Sequence, residues 1–130
     1  MNTKNFFLLE VINCLVFGIA LFFFSDFLGQ EYLTNPGWTN EASKIVAKGY
    51  GSLLLALGIA FWLARKSGPS IARHALVVLG TFANIFLVII HSMAILGGVE
   101  TAFAWGTVIM SLFLAVWGLT LIPKEKDITV

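Results

Sequence analysis

The stretch ALVVLGTFANIFLVIIHSMAIL, from Ala75 to Leu96, runs for 22 residues without an Asp, Glu, Lys or Arg. A helix needs roughly 20 apolar residues to cross about 30 Å of hydrocarbon. Three more long, mainly apolar runs surround it, Phe6–Leu28, Ile45–Ala64 and Ala102–Ile122. Together they fill most of the 130 residues. A soluble domain of this size has no interior able to bury four such helices, so lipid must solvate their outer faces. The expected fold is an all-α membrane protein, an antiparallel bundle of four transmembrane helices. It forms a single domain over 1–130, with helices at about 6–28, 45–64, 75–96 and 102–122.

Composition points the same way. Hydrophobic residues make up 58% and charged residues 12% of the chain, the latter about half the share of an ordinary soluble domain. Mean hydropathy is +0.91. A net charge of +1 leaves no electrostatic footprint for nucleic acid. The placement of the charges says more than their sum. Lys4 precedes the first run, Arg65, Lys66 and Arg73 separate the second from the third, and Lys124 and Lys126 follow the fourth. Only Lys44, just before the second run, and Lys48, in its first turn, lie on the side between the first two runs, and the last loop has no basic residue. The positive-inside rule then puts both termini in the cytoplasm, of a bacterial inner membrane in this reading. Asp26, Glu31, Glu41 and Glu100 fall on the outer side.

The first run is expected to remain as a span. It is too long for a secretory signal, Glu10 interrupts it, and no small-x-small cleavage site follows. Cys14 is the one cysteine, so no internal disulfide is available and its thiol is expected to pack. Gly29 and Gln30 are expected to end the first helix. Asn35-Pro36-Gly37 signals a turn and Trp38 an interfacial anchor. Thr39 or Asn40 can cap the second helix, Pro69 or Ser70 opens the third, Gly97-Gly98 ends it, and Thr101 can cap the fourth. Pro123 is expected to stop the fourth helix.

Packing faces follow at 100° per residue. On the fourth helix Ala104, Thr107, Ser111, Ala115 and Gly118 share one side, with Trp105, Ile109, Leu112 and Val116 opposite. The second helix carries Ser52, Ala56, Ala60 and Ala64 at four-residue steps. Small residues at this spacing let helices approach closely in lipid. Both faces are therefore expected to point into the bundle or toward a second copy of the chain.

Polar residues inside an apolar solvent are costly and mark where to look. On the third helix His74, Thr81, Asn84, His91 and Ser92 project within about 100° of one another. One reading has Thr81, Asn84 and Ser92 fixing helix packing through hydrogen bonds. The other makes the stripe a ligand or proton site, since a histidine titrates near neutral pH. On the first helix Glu10, Asn13 and Cys14 share a face. Glu10 can snorkel to the interface, pair with Arg65 or Arg73, or exchange protons. At the outer side Asp26, Lys48, His91 and Glu100 belong to helix ends that face the same way. They can form a vestibule, with an Asp26–Lys48 ion pair as its plainest form. No metal site is expected, because no helix carries His, Cys and carboxylates at ligand spacing. Nucleophile–base pairs, phosphate loops and dinucleotide signatures are missing too.

Leu9-Glu10-Val11-Ile12 resembles the first-helix segment of the small multidrug transporters, where such a glutamate binds protons and cations. The loops are longer here, and the third and fourth helices show no matching motif. Lys48-Gly49-Tyr50-Gly51-Ser52, with Gly58 seven residues after Gly51, resembles the second-helix pattern of a bacterial four-helix membrane family with no assigned activity. In that pattern a glycine stands where this chain has Ser52. The family's third helix carries an arginine and a late Asp-Gly, in place of Asn84, His91 and Gly97-Gly98. The layout is also similar to that of DoxX-like membrane proteins. These resemblances imply the four-span fold. The expected function is that of a small non-enzymatic integral membrane protein without a cofactor, its partners being the bilayer, a second copy or an apolar ligand. One alternative is a proton-coupled transporter or channel subunit using Glu10 and His91. The other is a binding module or enzyme for a lipid, quinone or similar apolar molecule along the third-helix stripe.

Overall fold

The computed structural model describes residues 2–125, and Lys126 lies outside them. Among the described residues there are five α-helices: α1 (Thr3–Phe23), α2 (Ser25–Tyr32), α3 (Glu41–Ala64), α4 (Ile71–Leu96) and α5 (Trp105–Glu125). Single 3-10 turns sit at Pro36–Trp38 and Ala102–Ala104. Four stretches are long and apolar enough to cross a membrane: α1, α3, α4 and Ala102–Lys124. The fold is the all-α four-helix bundle that the apolar runs imply.

Capping follows local chemistry. Asn40 opens α3, its side chain accepting from Ser43 N while Ser43 returns the bond to the Asn40 backbone. Two orphan donors are satisfied by that exchange. Ser70 accepts from Arg73 N at the start of α4, and Thr101 accepts from Phe103 N ahead of α5.

The structure corrects two expectations and divides a third. First, the run Phe6–Leu28 is not one helix. Phe24 leaves helical geometry (φ −124°, ψ 34°), and Ser25-Asp26 begin a new helix with Asp26 in its first turn. An acid at that position is favoured by the helix dipole. Gly29, expected as the terminator, lies inside α2. Second, Pro123 sits within α5, which continues to Glu125. Proline lacks an N–H, but in a last turn the carbonyl it leaves unpaired can face water. Third, α3 turns a different face to the bundle. Gly51 and Gly58 are buried, while Ser52 and Ala56 are exposed and Ala60 is half-buried. Of the expected stripe, Ser52 and Ala56 face away from the bundle, Ala60 faces it in part, and Ala64 is buried in the core. On α5 Thr107, Ser111, Ala115 and Gly118 face inward, as does Ala104 of the turn before it, with Trp105, Ile109, Leu112 and Val116 exposed.

The bundle is built as two antiparallel pairs, α1 with α3 and α4 with α5, which touch each other far less than their members do. Within the first pair the backbones of α1 and α3 cross closely. A Cβ added to Gly51 would stand 2.8 Å from both Gly18 O and Phe22 N. In the second pair, a Cβ on Gly118 would fall 2.9 Å from Thr81 Cβ. The pairs converge at one end, here called the base, which holds the start of α1, the α3–α4 turn and the end of α5. Phe6, Phe7, Phe61, Val77, Leu114 and Leu121 form its core. Phe7 stacks on Phe61 at 5.6 Å, and Phe6 meets Trp117 edge-on at 6.1 Å.

At the opposite end α2 bridges the pairs. Thr101 N donates to Tyr32 O at 2.7 Å and Thr34 N to Val99 O at 3.0 Å. The α1–α2–α3 side is thereby tied to the α4–α5 connection.

Replacing Gly51 with alanine pushes a methyl group into backbone, so Gly51→Ala is expected to lower stability by about 1–3 kcal/mol. Unfolding by sodium dodecyl sulfate in mixed micelles measures it. Val46→Leu, exposed on the same helix, is expected to leave the transition where it is. An unshifted Gly51→Ala would show that the crossing does not set the α1–α3 seam.

Candidate functional site

The convergence at the base leaves a cavity of about 290 Å³ between the two pairs toward the other end. Asn13 and Leu87, one turn beyond Glu10 and Asn84 in α1 and α4, line it together with Leu54 of α3 and Ser111 of α5. Its walls are largely apolar, with Phe17, Leu21, Ala47 and Leu87 among them. Near the mouth stand Tyr32, Lys44, His91, Glu100 and Thr107. Each is placed by an element already described: α2 brings Tyr32, the first turn of α3 Lys44, the last turns of α4 His91, and the loop bonded to Leu33 brings Glu100.

Beneath the cavity the α1 and α4 polar faces meet. Asn84 Nδ2 donates to Glu10 Oε1 at 2.7 Å and to Gly80 O at 2.8 Å. Glu10 and Asn84 are both buried, and the lack of a side chain at Gly80 gives the carboxyl room, since a Cβ there would lie 3.1 Å from Glu10 Oε1. The Glu10 partner is thus Asn84 rather than Arg65 or Arg73. Arg65 instead lies over the Trp62 ring, 3.3 Å from its centroid, and Arg73 donates to Ser67 O.

At the mouth the Glu100 carboxylate receives the His91 ring. Nδ1 lies 2.7 Å from Oε2 and 3.0 Å from Oε1, with the two side chains 18% and 13% exposed. Tyr32 and Thr107 share a hydrogen bond of 2.6 Å. The Tyr32 ring stands 6.3 Å from that of His91 and 5.2 Å, edge-on, from that of Phe103. Burial pushes the Tyr32 phenol above its ordinary value; the bond to Thr107 pulls it back, and the charge of Glu100 raises it further. Asp26 pairs with Lys44 at 2.8 Å, not with Lys48. Lys44 also reaches Glu41 at 3.2 Å. Lys48 is one turn further along α3, exposed and away from the cavity wall.

Of the residues singled out from the sequence, the structure brings Asn13, His91 and Glu100 to one cavity and joins Glu10 to Asn84 below it. Asp26 stands at the rim, and Lys48 stands apart. Tyr32 and Lys44 were missed, because both fall in a segment that reads as a connection. His91 and Glu100 offer two metal-ligating groups. Among the described residues no three His, Cys, Asp or Glu side chains gather to hold an ion.

Compared with known proteins, the chain matches no protein family, no curated protein and no solved structure. The chemistry of the cavity must be read from its own side chains. An apolar body with a few polar groups at one end is the usual form of a small-molecule site.

Two outcomes test this geometry. Glu10→Leu, Asn84→Leu and the double variant are expected to give a coupling energy of about 0.6–2 kcal/mol in a double-mutant cycle. A coupling of zero would break the α1–α4 bond. In a Tyr50→Phe background, absorbance titration is expected to find Tyr32 ionising above the ordinary tyrosine value. Glu100→Gln should lower that midpoint by removing a negative charge, and Thr107→Val should raise it by removing a donor to the phenolate. A midpoint that neither variant moves would separate Tyr32 from both partners.

Proposed function

We propose that this chain is a non-enzymatic integral membrane protein that holds a small apolar molecule between its two helix pairs. The observation that carries this reading is the cavity of about 290 Å³, whose apolar walls end in a polar mouth. That volume is at the lower end of the range of about 300–1,000 Å³ for small-molecule sites, suiting one ring or a short chain better than a whole lipid.

Glu10 serves this protein as a packing group. Its carboxyl accepts from Asn84 below the cavity and sits on the apolar core of the base. A transporter reading needs that carboxyl to face a path, and the cavity is lined by Asn13, one turn away. In this reading the protein lies in a bacterial inner membrane with its termini in the cytoplasm, supported by the basic residues at Lys4, Arg65, Lys66 and Arg73. A second copy would be received on the outward Ser52–Ala56 face of α3, where small side chains permit close approach.

The test is to extract the full chain from native membrane and identify what comes with it by native mass spectrometry. The wild type is expected to release a small apolar molecule, and Ala47→Phe, which fills the cavity from α3, is expected to release none while keeping its melting temperature. A wild type and an Ala47→Phe variant that carry the same molecule in equal amount would show that it binds elsewhere and overturn the assignment.

A further inference from the structure

We propose that the molecule held in the cavity presents an uncharged hydroxyl, of a phenol or an alcohol, which donates to His91 Nε2. This rests on the reading of the cavity as a binding site and names the chemistry that site selects.

The argument begins with Glu100. A carboxylate can only accept, and both of its oxygens face His91 Nδ1, at 2.7 and 3.0 Å. Nδ1 must then carry a hydrogen. In a neutral imidazole the other nitrogen becomes an acceptor. His91 lines the cavity, and no described side chain or backbone group bonds its Nε2. Glu100 thus works as a positioning residue: it selects the tautomer and turns the accepting edge of the ring away from itself.

Charge decides the rest. The cation nearest the mouth, Lys44, is committed to Asp26 at 2.8 Å and Glu41 at 3.2 Å. An anionic head group would meet Glu100 and Asp26 with no uncommitted cation lining the cavity. A cationic head would have to take Glu100 from His91 or Asp26 from Lys44. An ether or a ketone brings no hydrogen for Nε2. A neutral hydrogen-bond donor is what remains, and a hydroxyl supplies one on an apolar body with no second polar group to bury. Its apolar body is received by Phe17, Leu21 and Leu87, and the Tyr32 ring flanks the imidazole at 6.3 Å.

The experiment uses the full chain in lipid nanodiscs, with empty nanodiscs subtracting partition into the bilayer. Three probes share one apolar body: para-hexylphenol, its methyl ether and para-hexylbenzoate. The wild type is expected to bind the phenol about tenfold more tightly than the ether, the factor that one buried hydrogen bond produces. His91→Phe is expected to erase the difference while still binding the ether, and Ala47→Phe to abolish binding of both. Equal affinity for phenol and ether, each lost in Ala47→Phe, overturns the hydroxyl assignment and leaves the cavity reading standing. Tighter binding of the benzoate overturns it in favour of an anion site. A wild type that binds none of the three overturns both readings. A second measurement is independent of affinity. In a His74→Gln background, imidazole nitrogen shifts are expected to report the Nδ1–H tautomer, and Glu100→Leu is expected to lose that preference. An Nε2–H tautomer or a doubly protonated ring in the wild type would overturn the assignment, because Nε2 would then donate.

Discussion

A carboxyl group set among apolar side chains must find a hydrogen-bond partner or stay near water, because leaving it bare costs several kcal/mol. Glu10 finds Asn84. That one requirement fixes how α1 and α4 are rotated about their axes, since each must turn its polar side chain toward the other. With α1 so placed, Phe6 and Phe7 face Trp117 and Phe61, and the base closes. With α4 so placed, Thr81 meets Gly118, and the α4–α5 pair is set. The wide end of the bundle is what remains once the base is closed.

Convergence at one end explains why a cavity can exist in so small a protein. Dispersion between closely packed helices supplies most of the cohesion in lipid, and here it is concentrated at the base and along the two seams within the pairs. The mouth is held differently, by backbone hydrogen bonds between the end of α2 and the loop that precedes α5. A strap of that kind spans the gap without filling it. Three pairs of polar groups line the mouth, Tyr32 with Thr107, His91 with Glu100 and Lys44 with Asp26, while Thr39 Oγ1 on the same wall has no partner among the described residues. The site is preorganised by pairs that its occupant need not break.

Much of this was legible in the sequence. The four spans follow from hydropathy, and Asn40, Ser70 and Thr101 begin their helices with ordinary capping chemistry. The inward stripe Thr81–Asn84 on α4 followed from helical periodicity. What stayed hidden was of two kinds. Some of it was local and overridden: Ser25-Asp26 is helix-start chemistry, yet it lies within an apolar run whose mean gives no hint of a break. The rest depended on partners. The helix α3 carries two faces of small residues, and only the approach of α1 selects Gly51–Gly58 over Ser52–Ala60. Lys44 and Lys48 share one side of that helix, and the depth of Asp26 chooses between them. A cavity is space between elements, and no single stretch of sequence encodes it.

The division into two helix pairs also sets an order of assembly. The α1–α3 pair is complete at residue 64, and its glycine crossing can form while the second half is still being synthesised. During that interval Glu10 lies in the membrane without Asn84, which arrives only with the second pair. An unpaired intramembrane carboxyl is costly in hydrocarbon. Docking of α4 supplies the missing donor, so the bond that orients the finished bundle is also one that only the joining of its two halves can make.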